Sequence, residues 1–381
     1  MTAGGGKHVA FFMPSLMGGG VERVLLRLAI GFAERGCKVD LVVAKAQRSS
    51  LEGTAAGGSY LAQVPESVRV VDLGHSRIFF SLPGLVAYLR REKPDAILSG
   101  MEHVNLITIW AKLLARVETR VVIGIHNTES VCREGSAFKR QLIRASLKRF
   151  WGYADGIVAV SKGVADDYAP YMDIPREAIR VIYNPAIAPA IVQQAGAEPR
   201  HPWFAKKTTP VIVSAGRLTT AKNHMLLIQA MTAVHTQTGA RLVIIGEGPE
   251  RERLAAEIRR AGLEQAVDMP GFCDNPFSYM KRADAFVLCS AWEGLPTVLI
   301  EALYLGTPVV STACPSGPEE ILEGGKWGKL VPVNDAGALA RAIVETLREP
   351  RRDLGVSRAE AFSVDNIISE YADVLSVPVK R

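Results

Sequence analysis

The chain has 381 residues, of which 48% are hydrophobic and 22% are charged. This composition excludes a disordered or fibrous protein, and the length predicts two domains of about 150–200 residues each. No apolar run approaches the roughly 20 residues that a membrane-spanning helix needs. The net charge of +6 fits an anionic small ligand, a nucleic acid or an anionic membrane surface, and it does not choose among them.

In the first half of the chain, short apolar or β-branched runs alternate with segments of helical periodicity. The first run, 8–13, is too short for a signal sequence and is predicted to be a strand. Helices are predicted at 20–36 and 103–117. Further strands are predicted at 38–44, 68–73, 95–100, 120–125, 156–161 and 179–184. This alternation is typical of a parallel sheet that is covered by helices on both faces.

The alternation stops at 185–209, a stretch with four prolines and little periodicity. We therefore expect a first domain over 1–190, a linker over 191–209 and a second domain over 210–363. Strands of the second domain are predicted at 210–216, 241–246, 266–271, 284–290, 307–312 and 328–333. The predicted fold is α/β, with two doubly wound, Rossmann-like domains that face a central cleft. Ligands of such sheets bind beyond the carboxyl ends of the strands.

Five cysteines form an odd number with no Cys-x-x-Cys pair. They indicate reduced thiols, and therefore a cytosolic protein, because disulfides persist mainly in oxidising compartments.

Two cations follow the first predicted strand of the second domain. That strand ends near Gly216, Arg217 and Lys222 follow with four residues between them, and a helix is predicted to begin near Asn223. Two cations beside the free N–H groups of a helix N-terminus form a pocket that suits a diphosphate. The alternative is a pair of solvated surface side chains, which is the usual environment of Arg and Lys.

Two glutamates lie eight positions apart in SAWEGLPTVLIEAL, residues 290–303. Glu293 lies in a loop, and Glu301 falls in the second turn of a helix that Pro296 or Thr297 is predicted to open. Carboxylates beside a diphosphate are favourable where they accept hydrogen bonds from neutral hydroxyls, so the spacing fits a nucleotide-sugar with a sugar and a ribose on either side of the pyrophosphate. The alternative is one capping acid and one exposed helix acid.

The order of these residues resembles the donor domain of the retaining glycosyltransferases of family 4, which have the GT-B fold. The resemblance covers essentially the whole chain. Its further motifs are MGGGVERV (17–24), GIHNTES (124–130), AVSKGVADD (159–167), VIYNP (181–185), GTPVVST (306–312) and GPEEIL (317–322). The pattern is similar to that of bacterial members that transfer N-acetylhexosamines or related hexoses from UDP-sugars to lipid-linked or polysaccharide acceptors. The resemblance also implies that a helix in 364–381 returns to the first domain.

The resemblance implies roles for the residues of the predicted donor site. Arg217 and Lys222 would bind the diphosphate, Glu293 the hydroxyls of the transferred sugar, and Glu301 the ribose. Uracil would lie against the loops after the strands at 241–246 and 266–271. The expected donor-binding residues are Gly18, Gly19, Gly20, Gly216, Arg217, Lys222, Gly246, Gly248, Phe272, Cys273, Glu293, Gly294, Leu295, Pro296, Thr297 and Glu301, and the expected catalytic residues are His126, Arg217, Lys222 and Glu293.

Two features of the first domain are also predicted to belong to the site. Gly18, Gly19 and Gly20 follow the first strand, where missing side chains let the backbone approach the β-phosphate and the acceptor; the alternative is a flexible turn. His126 follows a strand, and the resemblance implies a place near the anomeric carbon, where it donates a hydrogen bond to a sugar hydroxyl or to the acceptor region. The alternative is a structural histidine.

The departure of UDP develops negative charge on the β-phosphate, which Arg217, Lys222 and the helix N-terminus are placed to stabilise. The chain has no Asp-x-Asp motif, so we expect no bridging metal ion and no cofactor. By analogy with the family, we expect retention by front-face departure, without a covalent glycosyl-enzyme. The phosphate-binding loop of NTPases and the spaced glycines of dinucleotide-binding proteins are missing, which argues against an NTPase and a nicotinamide-dependent dehydrogenase.

The segment 136–151 combines basic and apolar side chains at helical spacing. Its cations are Lys139, Arg140, Arg144, Lys148 and Arg149, its apolar residues include Phe138, Leu142, Leu147, Phe150 and Trp151, and it has no acid. Such a helix can rest on an anionic membrane and bring a polyprenyl-linked acceptor to the cleft, with 76–91 as a second apolar contact. The alternative is a helix that packs its apolar stripe on the sheet and leaves its basic face in solvent.

Together with these patterns, the resemblance to family 4 implies a metal-independent, retaining hexosyltransferase in the cytoplasm, peripheral on the inner face of the cell membrane. Its expected partners are a nucleotide-sugar donor, a polyprenyl-diphosphate-linked saccharide or glycan acceptor, and an anionic membrane surface. A nucleic-acid partner is supported by charge alone, without a recognition motif. The alternatives are a nucleotide-sugar epimerase or hydrolase of the same fold, and a non-catalytic nucleotide-sugar-binding protein.

Overall fold

The computed structural model describes residues 6–17, 19–45, 60–132, 136–350 and 355–379. The chain divides into two compact units. The first unit comprises Met1–Pro185 together with Val364–Arg381, and the second unit comprises Ala186–Ser363.

Within the described residues, the first unit contains all seven strands predicted for the first half of the chain. They are β1 His8–Met13, β2 Lys38–Val43, β3 Val68–Asp72, β4 Ala96–Gly100, β5 Arg120–Ile125, β6 Gly156–Ala159 and β7 Ile179–Val181. The strand order is β3-β2-β1-β4-β5-β6-β7, and every pairing is parallel. Because the order reverses between β1 and β4, the loops that follow these two strands flank the switch point, where such sheets bind ligands.

Helices connect these strands and cover the sheet. They are α1 Gly20–Glu34, α2 Leu82–Glu92, α3 Glu102–Ala115, α4 Ala137–Phe150 and α5 Lys162–Met172, with short 3₁₀ helices at Tyr60–Gln63, Ile78–Ser81, Trp151–Tyr153 and Arg176–Ala178. All six residues of β1 are buried. A strand of this kind is apolar throughout because helices cover a parallel sheet on both faces, which explains why the sequence shows continuous apolar runs instead of alternation.

The second unit has the same plan. Its described strands are β8 Val211–Ala215, β9 Arg241–Ile245, β10 Val267–Gly271, β11 Ala285–Leu288, β12 Val309–Thr312 and β13 Lys329–Val331. The order is β10-β9-β8-β11-β12-β13, again parallel throughout. The switch point lies between β8 and β11, so the loops that carry the predicted donor residues follow adjacent strands.

The helices of the second unit are mostly short. They are α6 Ala190–Ala195, α7 Pro202–Ala205, α8 His224–Thr238, α9 Arg251–Arg260, α10 Pro276–Arg282, α11 Thr297–Tyr304, α12 Pro318–Ile321, α13 Ala336–Arg348 and α14 Val356–Glu360. The predicted helix starts near Asn223 and Pro296 are therefore found, since these residues directly precede α8 and α11.

Residues 191–209, predicted as a linker, form part of the second unit in the structure, and the first unit ends at 185 instead of 190. Arg282 donates a hydrogen bond of 3.0 Å to the carbonyl oxygen of Ala195, and the His201 Nε2 atom lies 2.9 Å from a carboxylate oxygen of Asp268. The prolines that interrupt the periodicity of this segment shorten its helices without separating it from the unit.

The last helix, α15 Val364–Leu375, belongs to the first unit. It packs closely on α1, because a Cβ atom placed on Gly31 would lie only 2.5 Å from the Cδ1 atom of Ile368. The Arg120 side chain donates a hydrogen bond of 2.7 Å to the carbonyl oxygen of Val374. The C-terminal segment therefore completes the apolar core of the first unit.

Replacement of Ile368 by alanine should lower the free energy of unfolding of the first unit by about 2–4 kcal/mol, because it leaves a cavity in this core. Differential scanning calorimetry measures the effect as a lower Tm. Ser369→Ala, an exposed change on the same helix, is the control and should shift stability by less than about 0.5 kcal/mol. Equal effects of the two substitutions would contradict the packing described for α15.

Candidate functional site

Lys222 and Glu293 meet in the second unit, where the loops after β8 and β11 lie side by side. The Lys222 Nζ atom lies 2.5 Å from the Glu293 Oε1 atom, and the Ser290 hydroxyl donates a hydrogen bond of 2.6 Å to the same oxygen. The Glu293 side chain is buried, and that of Lys222 is about a quarter exposed. A buried carboxylate needs such partners, so the pair holds the acid in one orientation beside a partly exposed cation.

The loop that carries Glu293 is clamped by the segment after β12. The Glu293 N–H donates a hydrogen bond of 2.7 Å to the Pro315 carbonyl, and the Ser316 N–H donates one of 3.0 Å to the Glu293 carbonyl. Gly317 has φ +100°, and a Cβ atom there would lie 2.9 Å from the carbonyl oxygen of Gly294. The motif SGPEE at 316–320 therefore shapes the acid loop, a role that the sequence did not reveal.

The start of α11 and the second glutamate are both enclosed. Gly294, Leu295 and Pro296 are buried ahead of the helix, which begins at Thr297. Glu301 lies in the second turn of α11, and its side chain is 0% exposed. A ribose reaches this carboxylate only if the surrounding side chains move, so the assignment of Glu301 to the ribose stays a prediction.

Arg217 follows β8 and is exposed. Within the part of the chain that the structure describes, its guanidinium has no hydrogen-bond or ion-pair partner, so this cation is available to an anion. Glycines bring the next loop against it: a Cβ atom on Gly246 would lie 2.0 Å from the Gly216 carbonyl oxygen, and one on Gly248 would lie 2.4 Å from that of Leu218. The structure thus gives Gly216, Gly246 and Gly248 a role in backbone packing beside Arg217.

Phe272 and Cys273 follow β10, where the base was predicted to bind. The Phe272 side chain is exposed, so its ring is accessible for stacking. Cys273 is half-buried, and burial raises the pKa of its thiol. The position of the base stays a prediction.

Two buried cysteines border the Lys222–Glu293 pair. The Cys289 Sγ atom lies 3.2 Å from the Lys222 carbonyl oxygen, to which it donates. Burial raises the pKa of the thiols of Cys289 and Cys314 to about 12. Both groups are therefore protonated at neutral pH, which excludes them as thiolate nucleophiles.

His126 lies at the carboxyl end of β5 in the first unit, above two glycines. A Cβ atom would lie 3.0 Å from the His126 ring if placed on Gly100, and 2.8 Å from it if placed on Gly124. The Asn105 amide donates a hydrogen bond of 2.9 Å to the Gly124 carbonyl and accepts one of 2.8 Å from Ser99. Burial lowers the pKa of His126 to about 4, so the imidazole is neutral at pH 7.

The glycine-rich loop after β1 is only partly described. Gly18 lies outside the described residues. A Cβ atom on Gly19 would lie 2.0 Å from a carboxylate oxygen of Glu22, whereas a Cβ atom on Gly20 would meet nothing within 4 Å. The carboxylate of Glu22 occupies the space beside Gly19 and disfavours a phosphate there, so of the two described glycines only Gly20 has open space beside its backbone.

Two acids of the first unit were missed by the sequence analysis. Glu102 follows β4, and Glu129 lies in the loop after β5. Burial raises the pKa of both carboxyls, and the negative charges of Glu102 and Asp167 raise that of Glu129 further. The Glu102 Oε1 atom is buried without a hydrogen-bond partner among the described residues. Shifts of this kind are frequent at functional sites, but isolated glutamates in a sequence carry no signal of burial.

The cations predicted to contact a membrane do not share one environment. Lys139 and Arg149 are exposed, and Arg140 and Lys148 are half-buried. Arg144 is a correction, because it points inward: its Nε atom donates a hydrogen bond of 2.7 Å to the Tyr171 carbonyl, and its guanidinium lies 4.2 Å from the centre of the Tyr171 ring.

Two family models match the chain. The model described as Glycosyltransferase Family 4 matches residues 18–186, and the model described as Glycosyl transferases group 1 matches residues 197–360. The two matches fall on the first and second units respectively.

Two relatives from Campylobacter jejuni are similar over most of their length. The chain is 31% identical over 267 residues, 69% of this chain and 71% of the relative, to N-acetylgalactosamine-N,N'-diacetylbacillosaminyl-diphospho-undecaprenol 4-alpha-N-acetylgalactosaminyltransferase. It is 24% identical over 97% of this chain and 98% of the relative to an alpha-1,4-N-acetyl-D-galactosaminyltransferase whose name also specifies a PP-undecaprenol-linked saccharide.

A solved structure of Anabaena HepE in complex with UDP-glucose has the same fold. Its TM-score is 0.76 at 21% identity, over 97% of this chain and 99% of that chain. The predicted GT-B fold, with two parallel α/β sheets, is therefore confirmed.

Gly124→Ala should displace the His126 ring, because the new methyl group would lie 2.8 Å from the Nε2 atom. We expect the pKa of His126 to rise towards its ordinary value of 6.5 as the ring gains water contact, which an NMR titration of the imidazole signals measures. Gly152→Ala, where a Cβ atom meets nothing within 4 Å, is the control. An unchanged titration in Gly124→Ala would contradict the enclosure of His126.

Glu129→Gln should stabilise the protein at high pH. A carboxyl with a raised pKa binds its proton more tightly when folded, so its contribution falls as the pH rises above the ordinary pKa of 4.5. The Tm of the variant relative to the parent should therefore increase by about 2–4 °C between about pH 5 and about pH 8. Thermal unfolding at both pH values measures this difference in Tm, with the exposed Glu118→Gln as control. A difference in Tm between variant and parent that becomes smaller as the pH rises would contradict the raised pKa of Glu129.

Proposed function

The chain belongs to glycosyltransferase family 4, and on this premise we propose that it moves a hexose or N-acetylhexosamine from a UDP-sugar to a lipid-linked or growing glycan acceptor. The contact between Lys222 and Glu293, beside the exposed Arg217, carries the proposal. The names of the two C. jejuni relatives describe transfer to diphospho-undecaprenol-linked saccharides, and HepE was solved with UDP-glucose.

The donor binds through opposite charges and hydroxyl contacts. Arg217 and Lys222 neutralise the diphosphate, and the Glu293 carboxylate accepts hydrogen bonds from the transferred sugar. Because Ser290 also donates to the Oε1 atom of Glu293, the acid keeps a hydrogen bond if Lys222 turns towards the phosphate. The ribose is assigned to Glu301, which requires its surroundings to open.

Cleavage of the bond from the anomeric carbon leaves its electron pair on the β-phosphate oxygen of UDP. Arg217 and Lys222 stabilise the negative charge that develops there. We propose front-face substitution with retention: the acceptor hydroxyl forms the new bond on the face from which UDP departs, and its proton passes to the departing phosphate oxygen. Neutral His126 donates a hydrogen bond to the sugar, and no metal ion is needed because the two cations balance the diphosphate.

The acceptor class places the reaction at a membrane. A polyprenyl-diphosphate-linked saccharide is anchored in the bilayer by its lipid, so we propose that the enzyme works as a peripheral protein at the inner face of the cell membrane. Among the residues that the structure describes, none of the helices combines the length and the hydropathy of a transmembrane span.

The first test is donor-dependent transfer. UDP, and one UDP-sugar in a panel that includes GDP-mannose, should raise the Tm, and UDP release should require a polyprenyl-diphosphate-linked acceptor. Arg217→Ala should reduce that release by about 100-fold or more. Arg259→Ala, which removes an exposed arginine from α9, is the matched control and should leave the rate unchanged.

Full activity of Arg217→Ala would disprove the role of this cation. UDP release that is equally fast without acceptor would identify a hydrolase or epimerase instead. Added EDTA should not change the rate, and loss of activity that magnesium restores would contradict metal independence.

A further inference from the structure

The exposed face of α4 is apolar. Phe138 and Leu142 lie one turn apart on this face and are 77% and 59% exposed, and the exposed Ala145 continues the stripe. The opposite face packs inward through Leu147, which is fully buried. A surface helix usually presents its polar side to water, so large exposed side chains on this face need an explanation.

Two of the arginines of α4, Arg140 and Arg144, are directed towards the protein. Arg144 is held against Tyr171, and the half-buried Arg140 lies near the partly buried carboxyl of Glu129. The helix therefore directs part of its charge towards the protein and part of its apolar surface away from it. The alternative, in which the apolar stripe packs on the sheet and the basic face is solvated, describes Leu147 and the exposed Lys139 and Arg149, but it does not account for the exposure of Phe138 and Leu142.

A second element extends the apolar face. The 3₁₀ helix Ile78–Ser81 presents Phe80, which is 61% exposed, and the neighbouring Phe79 is also exposed. The Lys139 Nζ atom lies 6.0 Å from the centre of the Phe79 ring, so α4 and this helix are neighbours. We call the set Phe79, Phe80, Phe138, Lys139 and Leu142 the α4 surface.

The two segments that form the α4 surface contain cations and no acid. Residues 73–91 contain three arginines and residues 136–151 contain five cations, and neither segment contains Asp or Glu. Lys139 and Arg149 are exposed beside the apolar side chains. Exposed aromatic residues bordered by cations match the interface of an anionic bilayer, where rings enter the headgroup region and cations contact phosphates.

We propose that the α4 surface docks this protein on an anionic lipid bilayer, with Phe80, Phe138 and Leu142 in the interface and Lys139 and Arg149 on the headgroups. This inference rests on the proposed function in one respect: the lipid-linked acceptor supplies the reason for docking on a bilayer. A second copy of the chain fits less well, because a symmetric contact through α4 would bring the cations of two such helices together without an acid in either segment.

Flotation with vesicles tests the proposal. The protein should float with vesicles that contain phosphatidylglycerol and not with phosphatidylcholine vesicles, and high salt should weaken the binding. The triple variant Phe80→Ser, Phe138→Ser, Leu142→Ser should bind at least about tenfold more weakly, since each change removes an apolar side chain from the interface. Lys139→Gln should bind about fivefold more weakly.

Val192→Ser is the matched control, because Val192 lies in the second unit and is 59% exposed, like Leu142. The proposal fails if the protein does not float with anionic vesicles, if the control weakens binding as much as the triple variant, or if phosphatidylcholine binds equally well. It also fails if sedimentation equilibrium shows self-association that the triple variant abolishes, which would identify a second copy as the occupant.

The Tm increase with UDP separates this proposal from the proposed function. The triple variant should keep that increase, because none of its substitutions lies in the second unit. Vesicle binding without any donor-dependent transfer would overturn the proposed function and leave the docking surface standing. Transfer to a soluble acceptor without vesicle binding would overturn the docking surface and leave the transferase activity standing.

Discussion

The ion pair between Lys222 and Glu293 is the contact on which the candidate donor site depends. It joins loops that are 71 residues apart in the chain, and it exists because the sheet order places β8 beside β11. A buried carboxylate without partners is costly, and Lys222 and Ser290 both contact the Oε1 atom of Glu293. The same pairing keeps an ammonium group at the edge of the sheet, next to the exposed guanidinium of Arg217.

Missing side chains shape both units as much as the charged ones do. Gly100 and Gly124 make room for the ring of His126, and Gly246 makes room for the backbone at Gly216. Gly317 has the same function beneath the loop of Glu293. In each case a methyl group would fall within about 3 Å of a neighbouring atom, closer than packed atoms allow. The glycines therefore position His126, Arg217 and Glu293 through close packing of the backbone and the ring.

The helix α4 shows why a pattern of residues leaves function open. Its cations and apolar residues recur at helical spacing. The same spacing fits a helix whose apolar side packs on the sheet and a helix whose apolar side faces a membrane. The structure adds what periodicity lacks, because it shows that Arg144 bonds to Tyr171 while Phe138 and Leu142 face outward.

Local sequence patterns were enough to predict the strands, the two α/β sheets, the family and the loops that carry Arg217, Lys222 and Glu293, because apolar runs and strand-end motifs are local properties of the chain. The folded structure was needed to show that Lys222 contacts Glu293, that 191–209 belongs to the second unit and that Glu301 is enclosed. It also showed that the side chains of Glu102 and Glu129 are partly buried. Each of these depends on which distant segments become neighbours when the sheets form. Burial and pairing, and hence charge state, are properties of that neighbourhood and not of the residue.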